Sequence, residues 1–221
     1  MRYERGNKMR TATLLRLKVC FIGILMLLFS LIFACSRGEQ PQEKKAAVRT
    51  TNPYSNESVF DEVQRKLKEN PNDVDALFHL ADLYERNAQY KEAIETYTKA
   101  LKFKPEAGYI YFKMGTAYDR INQPAEAVKA FQSALKYMPS YAVAYNNMGV
   151  AYGKLNKPDE EITALNKAIK IRPKYASARY NLGMTYMKIG NRKEALRQYE
   201  ALKNFDEGTA EALMKEIGKT P

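Results

Sequence analysis

The residue types that could perform chemistry in this sequence are few. His79 is the only histidine, which excludes a zinc-binding H-E-x-x-H helix. The only cysteines, Cys20 and Cys35, cannot supply a multi-thiolate metal site. As a general base, His79 would need a nucleophile or carboxylate beside it, and no motif specifies one. We therefore predict no metal site and interpret His79 as a surface or groove histidine.

Two further segments resemble sites of phosphate or carboxylate chemistry. The stretch from Gly149 to Lys154 is too short for the G-x-x-x-x-G-K phosphate loop, and its apolar spacing places it within a helix. Asp159, Glu160 and Glu161 fall in the first turn of a predicted helix, where acidic side chains favour the helix dipole. We predict no catalytic residue, no cofactor and no small-molecule substrate, and therefore a protein that is not an enzyme.

The N-terminus has the pattern of a targeting segment. Residues 1–18 carry six basic residues against one acid, and the next 16 residues, 19–34, contain no charge. A 16-residue helix would span about 24 Å, less than the roughly 30 Å hydrocarbon core of a bilayer. A basic start, a short apolar run and a small final residue indicate a secretory signal peptide over 1–34.

The end of this signal, Ile32-Phe33-Ala34-Cys35, resembles the lipobox of bacterial lipoproteins. The resemblance implies cleavage after Ala34 and a diacylglycerol linked to Cys35, which would anchor the chain in a membrane. Phe33 is bulkier than the residue usually found at its position. The alternative is an uncleaved signal anchor in which Cys35 is simply buried.

The net charge of +11 largely reflects this signal. Removing residues 1–34 leaves 30 basic against 24 acidic residues, or +6. The remaining lysines lie at solvent-facing helix positions, so we predict no nucleic-acid partner. Residues 35–57 follow as a lipidated cysteine and flexible tether, since after Cys35 they contain only one aliphatic residue larger than alanine.

A 34-residue period organises the rest of the chain. Prolines recur at Pro71, Pro105, Pro139 and Pro173, and tyrosines recur at Tyr84, Tyr118, Tyr152 and Tyr186. A period of this length indicates stacked supersecondary units. Within each unit, apolar residues follow helical spacing, for example Tyr111, Met114, Gly115 and Tyr118 on a first helix and Ala127, Phe131 and Ala134 on a second. The spacing predicts helix pairs and an all-α fold.

Several recurring residues have a mechanical role in such pairs. A small residue on the first helix and alanine on the second would allow the two backbones to approach closely. Asn122, Asn156 and Gly190 stand where the first helix must end and can adopt the left-handed conformation. Pro124 and Pro158 follow two residues later, a position suited to the first turn of the next helix.

The pattern resembles the tetratricopeptide repeat family over about 74–207, as four units. The resemblance implies an α-solenoid of stacked antiparallel helix hairpins, wound into a right-handed superhelix with a concave groove. Apolar positions in 58–70 and 208–221 predict capping helices at the two ends of the stack, which cover its otherwise exposed apolar faces.

Two positions depart from the family pattern. Glu161 stands where the third unit needs a small residue, so we expect its carboxylate to displace the helix or to reach solvent. In the fourth unit Ala201 and Leu202 come one place early and the proline is missing, which fits a stack that ends there.

The resemblance also implies which residues line the groove. The first helices of the four units supply Phe78, His79, Tyr109, Phe112, Lys113, Arg120, Asn146, Asn147, Lys154, Tyr180, Asn181 and Lys188. Aromatic rings beside amides suit an extended peptide, because amides bond its backbone and rings bury its side chains; the asparagines could equally be common filler. The family's two-carboxylate clamp needs Lys and Asn where this chain has Phe78 and Asp82, so we do not expect that ligand.

These features together predict a membrane-anchored scaffold of the bacterial cell envelope that binds a protein or peptide. Lipoproteins of this architecture include pilotins for pilus secretins and factors for outer-membrane protein assembly. Ser36 after Cys35 resembles the sorting pattern for the periplasmic face of the outer membrane. A regulatory or recruiting subunit of an envelope enzyme, and a cytoplasm-facing adaptor with an uncleaved signal, remain as alternatives.

Overall fold

A computed structural model describes residues 56–219, which form ten helices and no strand. The helices are α1 (Asn56–Glu69), α2 (Val74–Arg86), α3 (Tyr90–Phe103), α4 (Gly108–Arg120), α5 (Pro124–Tyr137), α6 (Ala142–Lys154), α7 (Pro158–Ile171), α8 (Ala176–Lys188), α9 (Arg192–Lys203) and α10 (Glu207–Lys219). The predicted all-α fold is confirmed. The predicted signal peptide, Cys35 and nearly all of the predicted tether lie outside the described residues.

Consecutive helices form the hairpins of a solenoid. Helices α2 and α3 pair with each other, as do α4 and α5, α6 and α7, and α8 and α9, and each hairpin packs on the next. Helix α1 packs against α2 at one end, and α10 packs against α8 and α9 at the other. The predicted α-solenoid is therefore confirmed for residues 56–219.

The close approach within each hairpin depends on small residues. A Cβ atom added to Gly115 would lie 2.7 Å from the ring of Phe131, which is fully buried. A Cβ atom on Gly149 would lie 2.9 Å from Leu165 of the neighbouring helix. Side chains at these two positions would overpack the interior and push the helices apart.

The turn after each first helix contains a residue in the left-handed region. Asn122 and Asn156 have φ of 56° and Gly190 has φ of 77°, as their positions in the sequence predict. The first unit places Ala88 at the same position, with φ of 58°. This position was not recognised from sequence, because alanine pays a steric cost there that asparagine and glycine largely avoid.

The two ends of the stack are covered by single helices. Val63 of α1 is buried against Ala76 and Leu83 of α2. Leu213 of α10 is fully buried and lies against Gly183, where an added Cβ would come within 2.6 Å of it. Within residues 56–219, no helix is both long and apolar enough to cross a membrane.

Candidate functional site

The first helices of the four units, α2, α4, α6 and α8, carry all twelve residues predicted to line the groove. We call the surface that these residues form the groove, with a front half on α2 and α4 and a back half on α6 and α8. Phe112 and Asn146 are buried, at 8% and 7% exposure, so they support the groove from beneath. Tyr109 is the most exposed large apolar side chain of the set, at 48%.

Aromatic rings form a connected row in the front half. The ring centroids of Phe78 and Tyr109 are 5.8 Å apart, and those of Tyr109 and Phe112 are also 5.8 Å apart. Phe112 meets Tyr141 edge-on at 4.9 Å, which extends the row towards the third unit. Such contacts hold the rings in place, so Tyr109 presents a fixed apolar surface.

A cluster of paired positive and negative charges lies beside these rings. Lys113 Nζ lies 2.9 Å from Asp82 Oδ1 and 2.5 Å from Glu85 Oε2. Glu85 also accepts a hydrogen bond from the Tyr97 hydroxyl at 3.0 Å. The Thr116 hydroxyl lies 3.1 Å from Glu85 and 2.7 Å from the backbone carbonyl of Lys113, so these two acceptors share its proton. The cluster therefore joins α2 and α3 of the first unit to α4 of the second.

The pKa values of the cluster reflect burial opposed by pairing. Burial acts to lower the pKa of Lys113, but its hydrogen bonds and attraction to Glu85 and Asp82 outweigh that cost and raise it. Burial acts to raise the pKa of Asp82, but Lys113 and Arg86 hold it below its ordinary value. Burial and the negative charge of Glu85 raise the pKa of Tyr97, which stays a neutral donor. The front half thus satisfies its own charges.

A second ion pair links the middle of the groove. Lys154 Nζ of α6 lies 2.6 Å from Asp119 Oδ1 of α4, and both side chains are partly exposed. Asp119, Arg120, Thr116, Asn147 and Val150 line a small cavity of about 170 Å³ beside this pair, together with Phe131.

A chain of amide groups crosses the back half. Asn181 Nδ2 of α8 donates to Asn146 Oδ1 of α6 at 3.1 Å, and Asn146 Nδ2 donates to Asn147 Oδ1 at 3.1 Å. No other side-chain hydrogen bond of Asn147 or Asn181 occurs within residues 56–219. The Asn147 amide nitrogen and the Asn181 amide oxygen therefore remain a donor and an acceptor without a protein partner in this part of the chain.

Glu161 is half-buried, and the expectation that its carboxylate displaces the helix or reaches solvent stays a prediction. Its carboxylate lies against Gly153 of α6, where an added Cβ would come within 2.8 Å of both carboxylate oxygens. The second helix of this unit has a large residue, Glu161, where the other units have alanine. A glycine on the first helix, Gly153, leaves room for it. Burial raises the pKa of Glu161, and the Thr185 hydroxyl and the charge of Lys188 partly oppose that rise.

Repeat symmetry explains this exchange. Glu85 and Asp119 are 34 residues apart, and each bonds to the next first helix along the stack. The third unit has Gly153 at the equivalent position, and the Glu161 carboxylate occupies the space above it. Sequence analysis missed the role of Glu85 and this substitution; the recurrence of an acid at 85 and 119, then a glycine at 153, was the available signal.

The remaining predicted residues are placed as follows. His79 lies at the front edge, where its ring is 5.9 Å from Phe78, and Arg120 and Lys188 are exposed near the ends of their helices. Tyr180 packs against the C-terminal core cluster and lines a cavity of about 390 Å³ together with Asn181 and Thr209.

A further cavity in the described part of the chain lies apart from the groove residues. It has a volume of about 700 Å³ and lies between α6 and α7, where Tyr145, Met148 and Tyr152 meet the exposed Lys167 and Lys170. We base the candidate site on the groove instead, because hydrogen bonds between helices fix its polar atoms in place.

The repeats match models of one family over most of the described solenoid. A model described as TPR repeat matches residues 89–122 and 157–190, and three models described as tetratricopeptide repeat match 67–95, 109–140 and 176–208. No protein with a curated description matches the chain.

Solved structures with the same fold come from several proteins. A crystal structure of MamA is 26% identical, with a TM-score of 0.65 over 74% of this chain and 91% of MamA. YrrB, described as a TPR protein with an unusual peptide-binding site, is 25% identical, with a TM-score of 0.64 over 72% of this chain and 84% of YrrB. The first TPR of Spaghetti (RPAP3) bound to an HSP90 peptide is 24% identical, with a TM-score of 0.52 over 53% of this chain and 93% of that one, and shows the fold alone. The repeat period, the helix hairpins and these matches together establish that the chain belongs to the tetratricopeptide repeat family, whose fold serves as a protein–protein interaction scaffold.

Proposed function

We propose that this protein binds an extended peptide segment of a partner protein in its groove. The observation that carries the proposal is the amide chain of Asn181, Asn146 and Asn147, which leaves one donor and one acceptor without a protein partner among residues 56–219. A peptide backbone offers the complementary acceptor and donor at every residue, so it can bond to both amides.

The front half supplies the apolar part of such a site. Tyr109 is exposed, and its contacts with Phe78 and Phe112 fix its orientation before a ligand arrives. A preordered ring loses little conformational entropy on binding, which favours affinity. The charges beside it on Asp82, Glu85 and Lys113 are already paired with one another, so they do not oppose an apolar side chain.

We further propose that the protein works as a lipid-anchored scaffold on the periplasmic face of the bacterial outer membrane. The motif Ile32-Phe33-Ala34-Cys35 and the basic and apolar residues before it support this localisation. A tether of the composition found between Cys35 and α1 would keep the solenoid near the membrane and leave it free to orient.

Crosslinking in intact membranes tests the groove proposal. A photoreactive residue replaces Tyr109 in one strain and exposed Lys129 of α5 in a second, and the adducts are identified by mass spectrometry. We expect one partner to be captured from position 109 and not from position 129. Capture of the same partner from position 129 alone would place binding outside the groove.

Affinity for the captured partner measures the contribution of the groove. Changing Tyr109 and Asn147 together to alanine should weaken binding at least tenfold, since a tyrosine hot spot often costs about 2 kcal/mol and about 1.4 kcal/mol is a factor of ten. Tyr180 is avoided because it packs against the C-terminal core. The matched pair Lys129→Ala and Lys170→Ala should leave affinity unchanged.

Processing of Cys35 tests the anchor separately. Cys35→Ser should produce a longer, unlipidated precursor, while the wild type should be cleaved after Ala34 and carry lipid. Intact-mass analysis distinguishes the two chains. An unmodified, uncleaved wild type would contradict the lipoprotein proposal and leave the groove proposal standing.

A further inference from the structure

A cavity in the back half of the groove is lined by a carboxylate and by apolar side chains. It lies between α6, α7 and α8 and has a volume of about 460 Å³. Its lining consists of Val150, Gly153, Lys154, Glu161, Asn181, Met184, Thr185 and Lys188. The carboxylate of Glu161 lies over Gly153, so no side chain at position 153 covers it.

The charge of this carboxylate is poorly compensated by the protein itself. Glu161 has no ion pair within 4.0 Å among residues 56–219, whereas Asp119, the second unit's equivalent of Gly153, has Lys154 at 2.6 Å. The Thr185 hydroxyl acts to lower the pKa of Glu161, but it donates to the backbone carbonyl of Asn181 at 2.8 Å. The carboxylate therefore has at most a share in this one hydroxyl and no adjacent cation.

Two lysines line this cavity, and only one of them forms an ion pair with another residue of the described helices. Lys154 is held by Asp119 and is not available to Glu161. Lys188 lies beyond ion-pair distance but close enough for its charge to lower the pKa of Glu161 against the effect of burial. It is the one protein cation acting on this carboxylate in the described part of the chain.

We infer that this cavity is a specificity pocket for a lysine or arginine side chain of the partner peptide, an inference that rests on the proposed peptide binding in the groove. Val150 and Met184 provide apolar contact for the methylene stem, and Glu161 accepts the charged head. A cation that reaches a half-buried carboxylate forms a charge-assisted hydrogen bond and removes an uncompensated charge. Asn181 lines the same cavity, so a peptide bonded to the Asn181 amide would lie beside it.

A positional peptide library on the full-length protein tests the inference. The probes are ten-residue peptides, acetylated and amidated at their ends, each with one fixed residue at one position. We expect the wild type to prefer lysine or arginine over norleucine at one position by at least tenfold. Glu161→Gln should reduce this preference to less than twofold, while peptide binding itself persists.

A neighbouring carboxylate supplies the matched control. Glu160→Gln removes an equal charge one residue away, from an exposed side chain paired with Lys157 at 3.5 Å. This variant should keep the wild-type preference. Lys188→Met removes the competing protein cation and should strengthen binding of the lysine-containing peptides.

The outcomes separate this inference from the proposed function. Peptide binding at the groove without any preference for a cation, or a preference that survives Glu161→Gln, would overturn the pocket and leave the proposed function standing. Weaker binding of lysine peptides by Lys188→Met would also overturn it, since Lys188 would then assist rather than compete. No binding of any peptide would overturn both.

Discussion

The front and back halves of the groove are built on the same 34-residue repeat but treat their charges differently. In the front half, Lys113 pairs with both Asp82 and Glu85, and the buried Tyr97 hydroxyl donates to Glu85. In the back half, Glu161 meets a shared hydroxyl and a more distant lysine. In the front half the charged groups are paired within the protein, while the back half keeps polar groups available to a ligand.

The difference shows how a repeat protein can separate stability from recognition. A buried charge that is fully paired stabilises the fold only modestly, but removing one partner is costly because the other is left desolvated. An incompletely paired charge at a cavity instead favours a ligand that completes it. The following predictions test whether the two halves divide these roles as their contacts indicate.

The largest effect is expected in the front half. Lys113→Met should lower the free energy of unfolding by about 3 kcal/mol, because it leaves Asp82 and Glu85 without their shared cation. Denaturant unfolding measures the loss. This loss of stability should be smaller below about pH 4. The pKa of Asp82 is lowered in the folded state, so its carboxylate stabilises the fold above its ordinary pKa of 3.8, and that contribution is lost as the pH falls.

Lys129→Met serves as its control. Lys129 is exposed and forms only a local pair with Glu126, so its loss should cost less than about 0.5 kcal/mol. Equal effects of the two substitutions would show that the front cluster is no more than a surface ion pair and would remove the contrast between the halves.

In the back half, we expect Gly153 and Glu161 to behave as one coupled pair. Gly153→Ala alone should destabilise the protein by no more than about 1 kcal/mol, because the new Cβ meets only the carboxylate at the flexible end of the Glu161 side chain, which can turn away from it. In a Glu161→Ala background the same change should be neutral or stabilising by up to about 1 kcal/mol, since alanine favours a helix over glycine. A double-mutant cycle from chemical unfolding gives the coupling; additive effects would refute the exchange of roles between these two positions.

The front unit also carries a local strain that the later units avoid. Ala88→Gly should raise the free energy of unfolding by about 1 kcal/mol, because Ala88 has φ of 58° where the later units place Asn122, Asn156 and Gly190. The opposite control is Ala125→Gly within helix α5, which should cost up to about 1 kcal/mol. Thermal unfolding of both variants checks the two signs; a loss at both positions would argue against strain at Ala88.

The smallest effect concerns the pH dependence of the back half. Burial raises the pKa of Glu161, so the folded state holds this proton more tightly than the unfolded chain does. The wild type should therefore lose stability relative to Glu161→Gln as the pH rises above the ordinary value of 4.5, and the difference should level off near neutral pH. Parallel denaturant titrations from pH 4 to pH 7 measure it, and a difference of the opposite sign would mean that Glu161 is fully paired.

Sequence reasoning reached the fold because each local signal agreed with the others. The turn residues Asn122 and Asn156 adopt positive φ, and Gly115 meets Phe131 as the close approach of the helices requires. It did not identify Gly153 as the neighbour of the Glu161 carboxylate, because Gly153 lies on another helix. It also predicted Phe112 and Asn146 as groove-lining residues like the exposed ones, but both are buried. Helical spacing alone does not report burial by neighbouring units.

The sequence by itself determined the repeat length and the helix hairpins, because these follow from local periodicity and turn chemistry. Only the tertiary structure decided how the groove is divided. Three contacts join different helices: Lys113 pairs with two carboxylates, the amide chain runs from Asn181 to Asn147, and the Glu161 carboxylate lies against Gly153. Contacts between helices depend on distances that the stacking of one repeat on the next sets, and no single repeat contains them.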